Sequence, residues 1–357
     1  MNLENRNKKS SKKGLILRII NITVVVGGGI FLLFFLLSEV TIEDIKNALL
    51  GIYKPSLIIG LILIFSIDFF RSYRAKILIG PGKIRMVDLF LASLVRNGFN
   101  MVLPARTGEL SYIYVLKRKF KLPVEIGAST LMIALVFDLV MVFSLIVISI
   151  IIVGVNRYAV SSTSVILIAA GLLVLFLLVL FYLSKFIGFF IWIYDRTLAK
   201  CRIGKARVME YLYEKLVEIN KNIELIRKRG VYWKVYLITV PARFLKFTAY
   251  YFLIHAVLQP MGYGFGDLPY WVILLATAAA EMSAVLPTHS LAGLGTYQGA
   301  FALAFILLGF SERISILVGF SYHIINLVFT VAWSLIAMLI ISLPFYRLKR
   351  ESANGSQ

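Results

Sequence analysis

Residues 87–116 read VDLFLASLVRNGFNMVLPARTGELSYIYVL, an apolar stretch whose middle is interrupted by polar residues, a proline and a glycine. If the stretch crossed a membrane once, the basic run at 117–121 would face outward, although Lys and Arg prefer the cytoplasmic side. A hairpin that enters from the cytoplasm, turns at the Leu103-Pro104 pair and returns keeps these charges inside. We therefore predict a re-entrant hairpin of two broken helices.

The composition places this hairpin in an all-α polytopic membrane protein. Apolar residues make up 60% of the 357 residues and charged residues 16%, whereas soluble domains average about 45–50% apolar and about 25% charged. A spanning helix needs about 20 apolar residues, so the chain holds roughly eight hydrophobic segments, about six full spans and two re-entrant hairpins. These values exclude a soluble enzyme, a disordered chain and a disulfide scaffold, and Cys201 is the only cysteine.

The positive charge of the chain follows its topology. Lys and Arg total 38 against 18 Asp and Glu, a net charge of +20, and the cations lie between apolar segments. This pattern favours a membrane protein over a nucleic-acid-binding one. We predict a multi-pass protein of the cytoplasmic membrane with cytoplasmic tails at 1–14 and 346–357 and a transmembrane domain at 15–345. The three histidines lie far apart, so we expect no metal and no cofactor.

The remaining segments are assigned by hydropathy and charge. A second broken stretch, 270–310, is interrupted between Pro287 and Gly295, and the loop 259–269 before it has no Lys or Arg and should lie outside. The linker at 195–230 has apolar residues at helical spacing, which predicts either an amphipathic helix on the membrane surface or a connector helix packed on the protein.

The predicted full spans are 15–38, 55–70, 124–153, 161–190, 233–258 and 314–343.

Two similar units emerge, 55–153 and 233–343, each with a span, a re-entrant hairpin and a second span. Since the hairpins enter from opposite sides, the units form an inverted repeat, which is typical of secondary transporters. A helix that begins at mid-membrane depth has unsatisfied N–H groups and a positive dipole end. Two such ends would create an anion site, and the phosphate of a phospholipid is the anion that a membrane supplies.

The broken stretches also resemble signatures of a known family. Asn100-Met-Val-Leu-Pro104-Ala-Arg106-Thr-Gly108-Glu109 resembles the N-x-x-x-P-x-R-x-G-E signature of the flippase-like proteins, which include the membrane region of lysylphosphatidylglycerol synthases. Pro287 followed by Ala292-Gly293-Leu294-Gly295-Thr296-Tyr297-Gln298 is similar to the second signature, P…G-G-x-G-x-x-E. The resemblance implies a lipid-handling membrane protein. The aminoacyl-transfer domain of the synthases is not expected in this chain.

The sequence departs from the family at three places. Tyr112 stands where the family often has an Arg, and Gln298 replaces the Glu of the second signature. Ala134 and Leu135 stand where many members carry Glu-Arg before the Asp matched by Asp138.

The candidate site consists of polar and backbone-turn residues in or near the breaks. We predict binding of a lipid or anion by Arg106, Glu109, Asn100, Arg243, His289 and Gln298. Asp138 and Glu281 either couple transport to an ion or simply pair with nearby cations. The expected turn residues are Pro104, Gly108, Pro287, Gly293 and Gly295.

Each of these roles has a plainer structural alternative. Glu109 is favoured in a first helical turn by the dipole alone, and the two asparagines Asn97 and Asn100 could satisfy backbone groups at the break. Lys246 is expected to snorkel to the interface. Arg71 and Arg74 would contact head groups at the inner surface or only set topology.

Three functions fit these features. The first is a lipid transporter that moves an anionic phospholipid or lipid-linked head group between leaflets. The second is a membrane-embedded lipid-modifying transferase or its accessory subunit, and the third is a scaffold that holds a partner through the linker. We favour the transporter, because the sequence offers no nucleophile–base pair, and we expect no catalytic residues. Membrane phospholipids are the expected partners, and a homo-oligomer is left open.

Overall fold

The computed structural model describes residues 36, 39–82, 84–103, 107–153, 162–197, 207–283, 295–343 and 346. The described residues include only Tyr346 of the two predicted tails. They include only Leu36 of the predicted span at 15–38. Five of the predicted site and turn residues lie outside the described residues, namely Pro104, Arg106, Pro287, His289 and Gly293.

Within the described ranges the protein is entirely helical, with eleven α-helices and no strand, as predicted for the fold class. A 3₁₀ turn at Gln259–Met261 follows the eighth helix. The helices are α1 (Ile42–Leu50), α2 (Lys54–Ile79), α3 (Met86–Val102), α4 (Glu109–Phe120), α5 (Val124–Val153), α6 (Ser162–Arg196), α7 (Arg207–Lys228), α8 (Tyr232–Leu258), α9 (Tyr270–Ser283), α10 (Thr296–Leu307) and α11 (Glu312–Ser342).

Five of these helices, α2, α5, α6, α8 and α11, are long and apolar enough to cross a membrane. They correspond to five of the six predicted spans. Large apolar side chains remain exposed on their outer faces, for example Ile151, Leu175, Val328 and Leu339. A soluble protein rarely exposes apolar surface on this scale, so the outer faces suit contact with lipid.

One predicted boundary is wrong. The span expected at 55–70 extends to Ile79, where Gly80 ends α2 with a φ of 104°. The predicted cytoplasmic residues Arg71 and Arg74 therefore lie inside the helix. Arg74 is buried, which contradicts its expected place at the inner surface. Ion pairs with helices distant in the sequence make this burial feasible, as described below.

The bundle is built around an antiparallel contact between α2 and α8, the most extensive helix pair in the described structure. At one end, the Tyr53 N–H donates to the carbonyl of Ala256 over 2.9 Å. At the other end, the Arg229 guanidinium donates to the carbonyl of Leu78. We call these the α1 end and the α7 end, after the helices that lie there.

The other contacts repeat between a first half, α2–α5, and a second half, α8–α11. Helix α3 of the first half packs on α11 of the second, and α9 of the second half packs on α5 of the first. Helix α3 starts at the α7 end, where the Tyr346 hydroxyl donates to Asp88. Helix α9 starts at the α1 end, where Tyr270 and Thr248 are hydrogen-bonded over 3.0 Å. The short helix pairs α3–α4 and α9–α10 therefore begin at opposite ends of the bundle.

Helix α7 connects the halves and packs against α5 and α6. Ile223 and Ile226 are buried against apolar residues of α6, and Lys215 bonds to Glu125 at the start of α5. This packing corresponds to the connector-helix alternative. Tyr211 and Leu212 stay exposed on the same helix, and contact of α7 with a membrane surface stays a prediction.

Candidate functional site

A cavity of about 190 Å³ lies between the two halves, lined by residues from both. Part of its wall is apolar and includes Ala134 and Leu135. Five cations and four carboxylates line the rest, so the described lining residues carry a net charge of +1. The charged residues are Asp68, Arg71, Arg74, Arg96, Glu109, Asp138, Arg243, Lys246 and Glu281.

A chain of ion pairs, which we call the central ion chain, joins four helices across the cavity. Asp138 of α5 accepts from Arg74 of α2 over 2.6 and 3.1 Å. It also accepts from Arg243 of α8 over 3.1 and 2.9 Å. Arg243 in turn donates to Glu281 of α9 over 2.7 Å, and Lys246 donates to the same oxygen over 2.6 Å. The chain holds three cations and two carboxylates and ties the two halves together.

The carboxylate of Asp68 organises a second cluster, between α2 and α3. It accepts hydrogen bonds from Asn97 over 2.6 Å and from Ser93 over 3.1 Å. The nearest nitrogen of Arg71 lies 3.8 Å from the same carboxylate, which is beyond hydrogen-bond distance. Arg71 therefore faces the cavity as a partly exposed cation with a loose ion pair.

A third cluster lies between the second half of α3 and the start of α4. Asn100 donates to Glu109 over 2.9 Å, and the Nε atom of Arg96 lies 3.9 Å from the other oxygen of Glu109. The Arg96 guanidinium also stacks over the ring of Tyr112, 5.4 Å from its centroid. A cation over an aromatic face is stabilised by the ring quadrupole, so the ring of Tyr112 helps to hold the Arg96 guanidinium in place.

The predicted turn glycines that the structure describes are required by the backbone. A Cβ atom on Gly108 would lie 2.3 Å from the backbone nitrogen of Asn100, so only glycine fits this close approach. Gly295 has a φ of 89°, which L side chains rarely adopt. Its N–H donates to the side-chain oxygen of Gln298 over 2.8 Å. Gln298 thus caps the start of α10, as either Glu or Gln can do at this position of a capping box.

The structure brings together Asn100, Glu109, Arg243, Asp138 and Glu281, all of which line the cavity. Gln298 is fully buried and is not part of the lining, although its neighbour Tyr297 is. The carboxylates Asp138 and Glu281 lie in ion pairs with nearby cations, which is one of the two roles predicted for them. The other role, coupling of transport to an ion, stays a prediction. The snorkelling expected for Lys246 is wrong, because its side chain is only 14% exposed and is paired with Glu281.

Several lining residues were not predicted as site residues. Asp68, Arg71 and Arg74 are spaced three apart in α2, and this spacing places them on one helical face. The sequence contains this spacing, but the predicted span ended at residue 70. Arg71 and Arg74 were therefore expected at the cytoplasmic surface and not in the helix. Arg96, His323 and Asn326 also line the cavity. Single polar residues within apolar helices are the signal that could have found them.

The helices, the exposed apolar faces and the buried charges define a multi-pass membrane protein with a polar cavity in its bundle. The model of the lysylphosphatidylglycerol synthase TM region family matches residues 18–334. The chain belongs to that family, as the two signatures suggested. A comparison with curated protein sequences finds no match.

Proposed function

We propose that the chain binds the phosphate of an anionic phospholipid in the cavity and lets the head group pass between the leaflets. The observation that carries the proposal is a cavity whose described lining holds five cations and four carboxylates inside an otherwise apolar helical bundle. Charges at membrane depth are costly and typically mark the path of a polar substrate. The family relationship supports a role with lipids.

The topology that we propose is an inverted repeat with two re-entrant hairpins. Helices α3, α4, α9 and α10 have 17, 12, 14 and 12 residues. At about 1.5 Å per residue each is shorter than the roughly 30 Å hydrocarbon core. Their opposite starting ends support entry from the two sides of the membrane.

The charge pattern supports a cytoplasmic α7 end. The last turn of α4, at this end, carries Lys117, Arg118 and Lys119, whereas the loop 259–269 at the α1 end has no Lys or Arg. The positive-inside rule then puts the α7 end in the cytoplasm. We extend this proposal to a location in the cytoplasmic membrane with both termini inside.

The size of the cavity supports a head group as the cargo. A single water needs roughly 10–15 Å³, so a cavity of about 190 Å³ accepts a group of several polar atoms. It is smaller than the roughly 300–1,000 Å³ of pockets that enclose a drug-sized ligand. We therefore propose that only the head group enters the cavity and that the acyl chains stay in the bilayer.

Leaflet exchange in proteoliposomes tests this function. Liposomes with a fluorescent phosphatidylglycerol are treated with an impermeant quencher, which destroys the fluorescence of outer-leaflet lipid. We expect loss of about half of the signal without protein and nearly complete loss with the wild type. Failure of the folded wild type to exceed protein-free liposomes would contradict the proposal, as would conversion of the lipid to a new product by the chain.

A variant pair links exchange to the cavity. Arg243→Gln removes one cation but leaves Asp138 with Arg74 and Glu281 with Lys246, so the bundle should still assemble. We expect its exchange rate to fall about tenfold or more, since a charged hydrogen bond contributes about 1.5–3 kcal/mol. Lys185→Gln, at an exposed position of α6, is the matched control and should keep the wild-type rate.

A further inference from the structure

We infer that the Lys246–Glu281 pair binds and releases one proton for each anionic head group that passes through the cavity, so that lipid transport is coupled to a proton gradient. This inference rests on the proposed function and names the ion to which transport is coupled. Asp138 and Glu281 were both predicted as coupling residues, and the geometry favours Glu281 with its partner Lys246. Lys246 was not among the predicted site residues.

Asp138 is held by groups that keep their protons. It accepts hydrogen bonds from Arg74 over 2.6 and 3.1 Å and from Arg243 over 3.1 Å. A guanidinium stays protonated in proteins, so both partners of Asp138 carry a permanent charge. Protonation of Asp138 would leave two buried cations without the anion that they share, which is costly. Asp138 is therefore an anchor of the bundle and a poor carrier of protons.

Glu281 has one partner that can lose a proton. Arg243 donates to its Oε1 atom over 2.7 Å, and the Nζ atom of Lys246 lies 2.6 Å from the same oxygen. Two cations that converge on one oxygen repel each other, and this repulsion favours loss of a proton from the group that can release it. A buried lysine changes its protonation state far more readily than an arginine. The proton therefore leaves from Lys246, the only lysine in the described lining of the cavity.

The surroundings of Lys246 come from several helices. Its side chain is 14% exposed, and its Nζ atom lies 5.6 Å from the ring centroid of Tyr250, on the same helix. Helices α2, α5, α9 and α11 pack on α8, and their ionisable residues in the cavity are Asp68, Arg71, Arg74, Asp138, Glu281 and His323. Among these residues only His323 has an ordinary titration range near neutral pH, so it is the rival proton site that the experiment must separate from Lys246.

An anionic head group favours the protonated form of Lys246. A phosphate beside the amine stabilises the ammonium, so entry of one head group is accompanied by uptake of one proton from the water on that side. The ammonium then donates to a phosphate oxygen, while Arg243 stays bonded to Glu281. When the head group leaves on the other side, the repulsion by Arg243 again dominates and the proton returns to water. One proton and one head group thus move in the same direction, and each gradient can drive the other.

Leaflet exchange under a pH gradient tests this coupling. Proteoliposomes that contain the fluorescent phosphatidylglycerol are given a lumen one pH unit more acidic than the medium, and a brief pulse of the impermeant quencher reads the outer-leaflet fraction. We expect the lipid to collect in the outer leaflet, on the alkaline side, with an outer-to-inner ratio that approaches about ten, since one coupled proton changes the equilibrium about tenfold per pH unit. Protein-free liposomes measure unassisted movement, and without a gradient the ratio should be about one.

Three variants assign the coupling to a residue. Lys246→Arg keeps a cation beside Glu281 but removes the group that can release a proton. We expect this variant, and likewise Lys246→Gln, to exchange lipid with a ratio of about one under the gradient. His323→Gln should keep the asymmetry of the wild type, and so should the matched control Lys185→Gln at its exposed position on α6.

The outcomes separate this inference from the proposed function. If the wild type exchanges lipid but its ratio stays at about one under the gradient, the coupling is wrong and transport stands. An asymmetry that survives Lys246→Arg and Lys246→Gln would overturn the role of Lys246, and its loss in His323→Gln alone would move the proton to His323. A folded wild type that exchanges no lipid, with or without the gradient, would instead contradict the proposed function itself.

Discussion

The two halves of the molecule share a packing scheme but differ in chemistry. Each half pairs a long helix with a short hairpin that contacts the last helix of the other half. The first-half hairpin brings Arg96, Asn100 and Glu109 to the cavity, whereas the second-half hairpin brings Glu281 and Tyr297 among its described residues. Matching helix contacts thus surround a cavity to which the two halves contribute different charged residues.

This difference suggests a division of labour. In the second half, Arg243, Lys246 and Glu281 lie in short ion pairs that anchor the helices to Asp138. In the first half, Arg71 and Arg96 are held loosely and remain available to a ligand. We therefore expect loss of a shared carboxylate such as Asp138 to lower stability, and loss of a loosely paired arginine to lower transport at unchanged stability.

The largest effect is expected where the halves are joined. Asp138→Asn removes a charge that two arginines share, and breaking a buried ion pair from one side costs about 3–5 kcal/mol. Thermal unfolding in detergent should show a strongly lowered Tm. Glu43→Gln changes an exposed pair on α1 and should cost at most about 1 kcal/mol. Equal stability of the two variants would refute the anchoring role of Asp138.

The contact between α3 and α11 provides a second test of how the hairpins are held. A Cβ atom on Gly98 would lie 2.2 Å from the Cβ of Ser334, so Gly98→Ala should destabilise the bundle by about 1–3 kcal/mol through overpacking. Adding Ser334→Gly to this variant should restore part of the loss. Gly299→Ala in α10, whose Cβ would have its nearest neighbour 3.8 Å away, is the control.

A Tm of Gly98→Ala equal to that of Gly299→Ala would contradict the close approach of α3 to α11 at Ser334. The helix-favouring effect of alanine, about 0.5–1 kcal/mol, is common to both variants and cancels in the comparison.

A smaller effect is expected at the start of α10. Gln298→Leu keeps most of the side-chain volume but removes the acceptor for the Gly295 N–H, which should cost about 0.5–2 kcal/mol. Leaflet exchange should fall only in proportion to the loss of folded protein, because Gln298 does not line the cavity. Loss of exchange at full stability would instead assign Gln298 a direct role with the lipid.

The smallest expected effect lies outside both halves, at α1. Hydrogen bonds from the Thr41 backbone N–H and hydroxyl lower the pKa of Asp44 below its usual range. Because the pKa of this carboxyl is lower in the folded than in the unfolded state, its ionisation stabilises the fold at pH values above the unfolded-state pKa. This stabilisation is lost as the pH falls through the folded-state pKa. Thr41→Val removes the hydroxyl donor and should raise the pKa of Asp44 in an NMR titration. An unchanged pKa would contradict the capping contact.

The sequence predicted the five described spans because each is a long apolar run, and it predicted Asn100 and Glu109 as site residues because both belong to one local motif. It did not predict the hydrogen bond between them. It missed the end of α2 because local rules treat Arg71 and Arg74 as loop residues. Arg74 is stabilised by Asp138, 64 residues further along the chain. Such a partner becomes visible only when the helices are assembled.

The opposite orientation of the two hairpins is the claim on which the site and the transport proposal depend. Cysteine accessibility in intact cells tests it directly, after Cys201→Ser removes the only cysteine of the chain. Cysteines are then placed singly by Lys119→Cys at the end of α4 and by Ser311→Cys just before α11. The account predicts that an impermeant thiol reagent labels the variant at 311 in intact cells and the variant at 119 only after the cells are opened. Labelling of both variants from the same side would contradict it.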